Sequence, residues 1–136
     1  MRGLYISPTK NTPEIKFSPE ENIFHIKGNS SPEDVRELYY PVIEWIRIFV
    51  EDIINGEGAV YSSEKPLKLE IDLEYFNSSS AKFLYDIFND LKKLNTSKIP
   101  YCVEWLYEEQ DLDMLDAGQD IALLVETEFK YIVKNK

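Results

Sequence analysis

The stretch LKLEIDLEYFNSSSAKFLYDIFNDLKKL, residues 67–94, changes its hydrophobic period in mid-course, from two to about 3.6. In the first part Leu67, Leu69, Ile71 and Leu73 alternate with Lys68, Glu70, Asp72 and Glu74, the pattern of a strand with one buried and one wet face. In the second part Leu84, Ile87, Phe88, Leu91 and Leu94 return at three- and four-residue steps, with Lys82, Asp86, Asn89, Asp90 and Lys93 largely opposite, which predicts a helix over 79–94. Ile99, Tyr101, Val103 and Trp105 then alternate as a second strand. Strand, turn, helix and strand in this compass form a crossover unit, which joins parallel neighbours in a right-handed sense.

Working outward, LYI (4–6) reads as a short strand, and EIKF and NIFHIKG flank the turn-like SPEEN as a hairpin. Ser31 as cap, Pro32 in the first turn and Asp34 near the positive helix end predict a helix over 32–54, with Val35, Leu38, Tyr39, Val42, Trp45, Ile46, Phe49 and Ile53 on its core face. Asn55-Gly56 supplies its stop, and Pro41 predicts a kink or break within it. GEGAVYSSEK (56–65) lacks any period and reads as a mobile loop. Downstream, a helix is expected over about 111–126, with Gly118 as a weak point, and FKYIV closes the chain as a strand. The expected architecture is α/β: one mixed sheet with packed helices, in a single domain spanning 1–136.

Composition narrows the function. Hydrophobic residues at 43% argue against disorder, and fifteen Lys and Arg against 25 Asp and Glu leave a net charge of −10, which repels phosphate backbones and anionic lipid surfaces. Neither nucleic acid nor membrane is an expected partner. The one cysteine, Cys102, permits no internal disulfide and no multi-cysteine zinc site, and IPYCVEW suggests a buried thiol in a reducing compartment. The N-terminus lacks an apolar signal core, so a cytoplasmic location is expected.

Asn77-Ser78-Ser79-Ser80 falls at the carboxyl end of a strand and the N-terminus of a helix. Open α/β sheets place functional groups at such ends, and free N–H groups there favour an anion. Asn77 can cap the helix alone, which leaves three hydroxyls in excess of capping. The residues alone leave three roles open: a phosphorylated switch, a small anion-binding or enzymatic domain using the serine turn, and a constitutive scaffold in which the turn only caps. Other motifs carry less. Asp111-Leu-Asp113 does not follow a buried strand directly, as an aspartyl-phosphate motif must, because Glu108, Glu109 and Gln110 intervene; it also lacks the glycine of a calcium loop, and reads as a solvated helix start. His25, the only histidine, stands in a strand without nucleophile or acid motif and reads as structural. With no GxxxxGK[ST] or GxGxxG the chain is not expected to bind ATP, and neither cofactor nor metal is implied.

TKNTPEI (9–15), YYPVIEWIRIF (39–49), LEIDLEYFNSSSAKFLYDIFNDL (69–91) and VEWLYEEQDLDMLDAGQDIALLVE (103–126) together resemble the SiaC-type regulatory phosphoproteins, which are similar in fold to bacterial anti-sigma factor antagonists of the STAS type. The resemblance implies a regulator without catalysis, switched by a cognate protein kinase and phosphatase. Its unphosphorylated form would bind an output protein such as a diguanylate cyclase. It further implies Ser78, which follows Asn77, as the phosphoacceptor, flanked by Ser79, Ser80 and Lys82. Anti-sigma factor antagonists carry Asp where this chain has Asn77.

Overall fold

The computed structural model describes residues 2–57 and 60–134. Three strands open it: β1 (Leu4–Ile6), β2 (Glu14–Ser18) and β3 (Ile23–Ser30), an antiparallel run in which Ser18 faces Ile23 across the turn. Helix α1 (Val35–Asp52) crosses to β4 (Leu67–Phe76), α2 (Ser78–Lys92) to β5 (Tyr101–Tyr107), and α3 (Leu112–Leu124) to β6 (Phe129–Val133). The last four strands pair in parallel, and the six lie side by side in chain order.

The period-two pattern of 67–73 makes this arrangement possible. Leu67, Leu69, Ile71 and Leu73 are buried, and the register sets Leu69 beside Val103 and Ile71 beside Trp105. Burying each such aliphatic side chain contributes about 1.5–3 kcal/mol. Residues from α1, α2 and α3 join them in one core, so the helices share one face of the sheet. The opposite face is a lattice of polar side chains, with ion pairs Lys68–Glu104 and Asp72–Lys134 and a 2.7 Å contact between His25 and Glu14. The His25 bond holds the Glu14 carboxyl below its usual range.

Several expectations need correction. The first helix starts later than 32: Asp34, not Ser31, is its cap, accepting from the Glu37 N–H at 3.1 Å, while Ser31 turns its hydroxyl to Asn29. Pro41 does not break α1, which runs unbroken over 18 residues; the carbonyl it deprives of a partner lies on an exposed face, where water can serve it. The stop at Asn55-Gly56 is a π-turn (Ile53–Glu57) with Gly56 at φ 135°. Within the candidate mobile loop, Gly58 and Ala59 lie outside the described residues, and Tyr61 is buried against the core. Cys102 is half-buried on the polar sheet face rather than interior, and desolvation pushes its thiol up, away from the reactive thiolate.

Gly118 is no weak point: α3 runs through it and packs closely on the sheet there. A Cβ there would meet the Trp105 ring at 2.6 Å, and that ring is fixed by its Nε1 donating to the Met114 carbonyl at 2.9 Å. Gly118→Ala should therefore destabilise the protein by about 1–3 kcal/mol despite the better helix propensity of alanine. Urea unfolding of the two proteins measures this, and an unchanged or raised midpoint would show that α3 can slide.

Candidate functional site

The turn between β4 and α2 is built by its own sequence. Asn77 is extended (φ −85°, ψ 172°) and its side chain accepts from the Ser80 N–H at 2.9 Å, the geometry of a helix cap. Its backbone N–H donates to the Ser30 carbonyl at 3.0 Å, which ties the turn to the end of β3. A register shift at Gly28, held at φ 124°, sets Ser30 opposite Phe76.

The three serines have different fates. Ser78 and Ser79 are exposed in the first turn of α2, whereas Ser80 is fully buried. The Ser80 hydroxyl donates to the Ser30 carbonyl at 3.0 Å, and the Ser30 hydroxyl donates to Ser80 Oγ at 2.8 Å. With its single proton so committed, Ser30 must accept at 2.6 Å from the phenol of Tyr39, itself buried in α1. Every proton of the three hydroxyls thus has an acceptor. Burial pushes the Tyr39 hydroxyl up to about 12, which keeps it the donor this chain requires.

Beyond the turn, α1 and α2 lie with position 40 beside 83 and 47 beside 90. The Tyr39 ring stacks on Phe83 at 5.5 Å, Tyr40 meets Phe83 edge-on, and Arg47 reaches buried Asp90 at 3.2 Å. An open groove runs between the helices, lined by Tyr40, Ile48, Phe83, Lys82, Glu44 and Asp86. Tyr40 and Ile48 are 56% and 47% exposed, so apolar surface is offered there beside charge. Lys82 sits one helical turn beyond Ser78 with its ammonium 5.3 Å from the Phe83 ring centre.

Of the residues expected at the site, Asn77, Ser78, Ser79 and Lys82 share this surface, and Ser80 lies beneath it. Ser30 and Tyr39 were missed. Tyr39 reads as an ordinary core position, and Ser30 sits at a strand end where no period marks a partner. TKNTPEI also contributes: Ser31 N–H donates to the Asn11 carbonyl at 2.9 Å, which brings the 9–12 turn to the same end of the sheet, beside the carboxyl end of β3. Asp111 lies apart as the cap of α3, accepting from the Met114 N–H at 3.0 Å.

A mixed sheet covered on one face by three helices is an α/β architecture consistent with the STAS-like class. Comparison with known proteins narrows this, for the SiaC family regulatory phosphoprotein model matches residues 6–134, and the chain belongs to that family. It is 30% identical over 120 residues to an uncharacterized protein of Pseudomonas aeruginosa strain UCBPP-PA14, covering 88% of this chain and 87% of that one. Apo-SiaC from Pseudomonas aeruginosa superposes with a TM-score of 0.78 at 25% identity, over 99% of this chain and all of the other. SiaC crystallised with the diguanylate cyclase SiaD, of which it is the activator, gives 0.77 at 25% identity, over 96% and 97% of the two chains.

Two measurements test the buried hydroxyl chain. Ser80→Ala should cost about 1–3 kcal/mol because the Ser30 proton loses its acceptor, whereas Ser79→Ala should stay within about 0.5 kcal/mol. Equal losses in chemical unfolding would contradict the arrangement. Because the folded state holds the Tyr39 proton more tightly than the unfolded chain, its share of the stability is complete below pH 10 and is lost as pH rises from 10 towards about 12. Tyr39→Phe should lose less stability across that interval than the parent does; parallel pH profiles would remove Tyr39 from the account.

Proposed function

We propose that the chain is a non-catalytic phosphoprotein switch, a single regulatory domain acting in the cytoplasm, with Ser78 as its acceptor. The observation that carries this reading is the division of the serine row. Ser78 stands exposed in the first turn of α2, on a backbone anchored by buried Ser80, where a kinase can reach the hydroxyl without disturbing the core. A cognate kinase supplies nucleotide, metal and phosphate clamp, and a cognate phosphatase reverses the step.

The unphosphorylated form docks an output protein over the turn and the adjoining α1–α2 groove, where Tyr40, Ile48 and Phe83 supply apolar contact and Lys82 a charge. Membership of a regulatory phosphoprotein family and likeness to an activator bound to a diguanylate cyclase favour such a cyclase as the output partner. A phosphoryl group on Ser78 adds a charge of about −1.5 to −2 and bulk at the rim of that groove, which opposes docking. It also draws Lys82, one turn away, into a local ion pair and out of the interface. No helix among the described residues is long and apolar enough to cross a membrane.

Two experiments test the switch. Protein purified from its own cells should carry a phosphate, and peptide mapping should place it on Ser78; a phosphate confined to Ser79, or none under any growth condition, would sink the assignment. Against the diguanylate cyclase of the same host, Ser78→Ala should bind like the unmodified protein, and Ser78→Asp at least about tenfold more weakly, a difference near 1.4 kcal/mol. Both variants should fold, since Asn77 still caps and a carboxylate at that helix end is favoured. Equal isotherms would detach the turn from partner binding.

A further inference from the structure

The strand at the far edge of the sheet, β6, has β5 on one side and no strand on the other among the described residues. Edges of this kind template pairing unless they are short, charged or covered, and the opposite edge, β1, is only three residues long. β6 has five, with Lys130 its one charged side chain, and beside it runs a groove whose walls include Gln119, Leu123, Thr127, Phe129 and Tyr131. Leu123 on the α3 wall is 78% exposed.

The backbone directions along β6 follow from one bond. Lys134 N–H donates inward to the Tyr107 carbonyl at 2.9 Å, so by the two-residue alternation Phe129, Tyr131 and Val133 turn their N–H and C=O groups outward. An antiparallel copy of the strand can meet those groups about a two-fold axis perpendicular to the sheet. Such an axis keeps all helices on one face, so opposed residues must share a face and the axis must pass through a residue; among the three interior residues of β6 the charges choose which. Centred on Lys130, the axis opposes Lys130 to itself; centred on Ile132, it opposes Lys130 to Lys134. Centred on Tyr131, it opposes no like charges and sets exposed Glu128 of each copy against Lys134 of the other, with Phe129 facing Val133. Lys134 already meets Asp72 at 2.8 Å, and its ammonium has further protons to give.

We infer that β6 is a homodimer interface, in which two copies pair antiparallel about Tyr131 into one continuous sheet. The interface is isologous and therefore closed. The outward pairs Phe129–Val133 and Tyr131–Tyr131 each exchange two backbone hydrogen bonds, and Leu123 of each α3 gains cover beside the axis. This edge lies across β5 from the β4–α2 turn, so its use is separate from the switch proposed above.

Sedimentation equilibrium of the purified chain tests the inference. The mass should rise from 15.9 kDa towards twice that value with concentration. Glu128→Lys should raise the dissociation constant at least about tenfold, because the axis converts two attractive pairs into two repulsive ones. Val133→Pro should also abolish the dimer, since it removes an outward N–H and leaves the bonds to β5 in place; circular dichroism checks that both variants fold. In hydrogen exchange, the amides of Phe129, Tyr131 and Val133 should gain protection as concentration rises. A monomer at every soluble concentration, a dimer indifferent to both substitutions, or protection gained elsewhere would each overturn the proposal. So would protection of these amides only when another protein is added, which would give the edge to that partner.

Discussion

Three buried hydroxyls, on Ser30, Tyr39 and Ser80, hold together the end of the structure that carries the candidate turn, because none can be left without a partner in the core. An unsatisfied buried hydroxyl costs about 1–3 kcal/mol, a large share of the stability of a domain this size. The chain of donation from Tyr39 to Ser30 to Ser80 and back to the Ser30 carbonyl has one proton per link, so it is satisfied in one arrangement only. That arrangement fixes α1, the end of β3 and the first turn of α2 relative to one another. The stack of Tyr39 on Phe83 carries the constraint outward to the α1–α2 groove, and Arg47 with Asp90 repeats it further along the helices.

A serine row therefore does two kinds of work. Ser80 is spent on the core and anchors the turn, and Asn77 caps the helix, so Ser78 and Ser79 owe nothing to the fold. A hydroxyl free of structural duty can be modified without cost to stability, and one in the core cannot be reached. Exposure alone does not separate Ser78 from Ser79. The preference for Ser78 in the proposed switch rests on the position directly after the capping Asn77, which the resemblance to the family implies, and on Lys82 one turn further along its face.

Much of this fold was legible because its pattern is physical. The alternation of Leu67 to Leu73 and the stripe from Leu84 to Leu94 are fixed by burial on one side, and burial is what a hydrophobic period records. The candidate turn was legible for the same reason, since it lies where one period gives way to the other. What stayed hidden depended on partners distant in sequence. Ser31 and Asp34 both suit a helix cap, and the choice fell to Asp34 because Ser31 bonds Asn29 and receives the 9–12 turn at its backbone. Gly118 looks like a helix breaker until Trp105 is placed against it. Ser30 and Tyr39 are unremarkable letters until the bulge at Gly28 brings one opposite Phe76 and within reach of the other.

The charge of the chain sets how a phosphate at Ser78 would have to act. The protein already carries −10, so a further −2 changes its distant field by a modest fraction, and at physiological salt that field is screened within about 8 Å. Long-range repulsion is thus a weak discriminator. Discrimination has to come from contact, through bulk at the groove's rim and the recruitment of Lys82. The fold is suited to that mode, because Ser80 and Asn77 hold the turn in place whatever stands on Ser78. A partner would then sense the modified group on an unmoved backbone, and the free energy of the proposed switch would be the difference in that partner's affinity for the two forms.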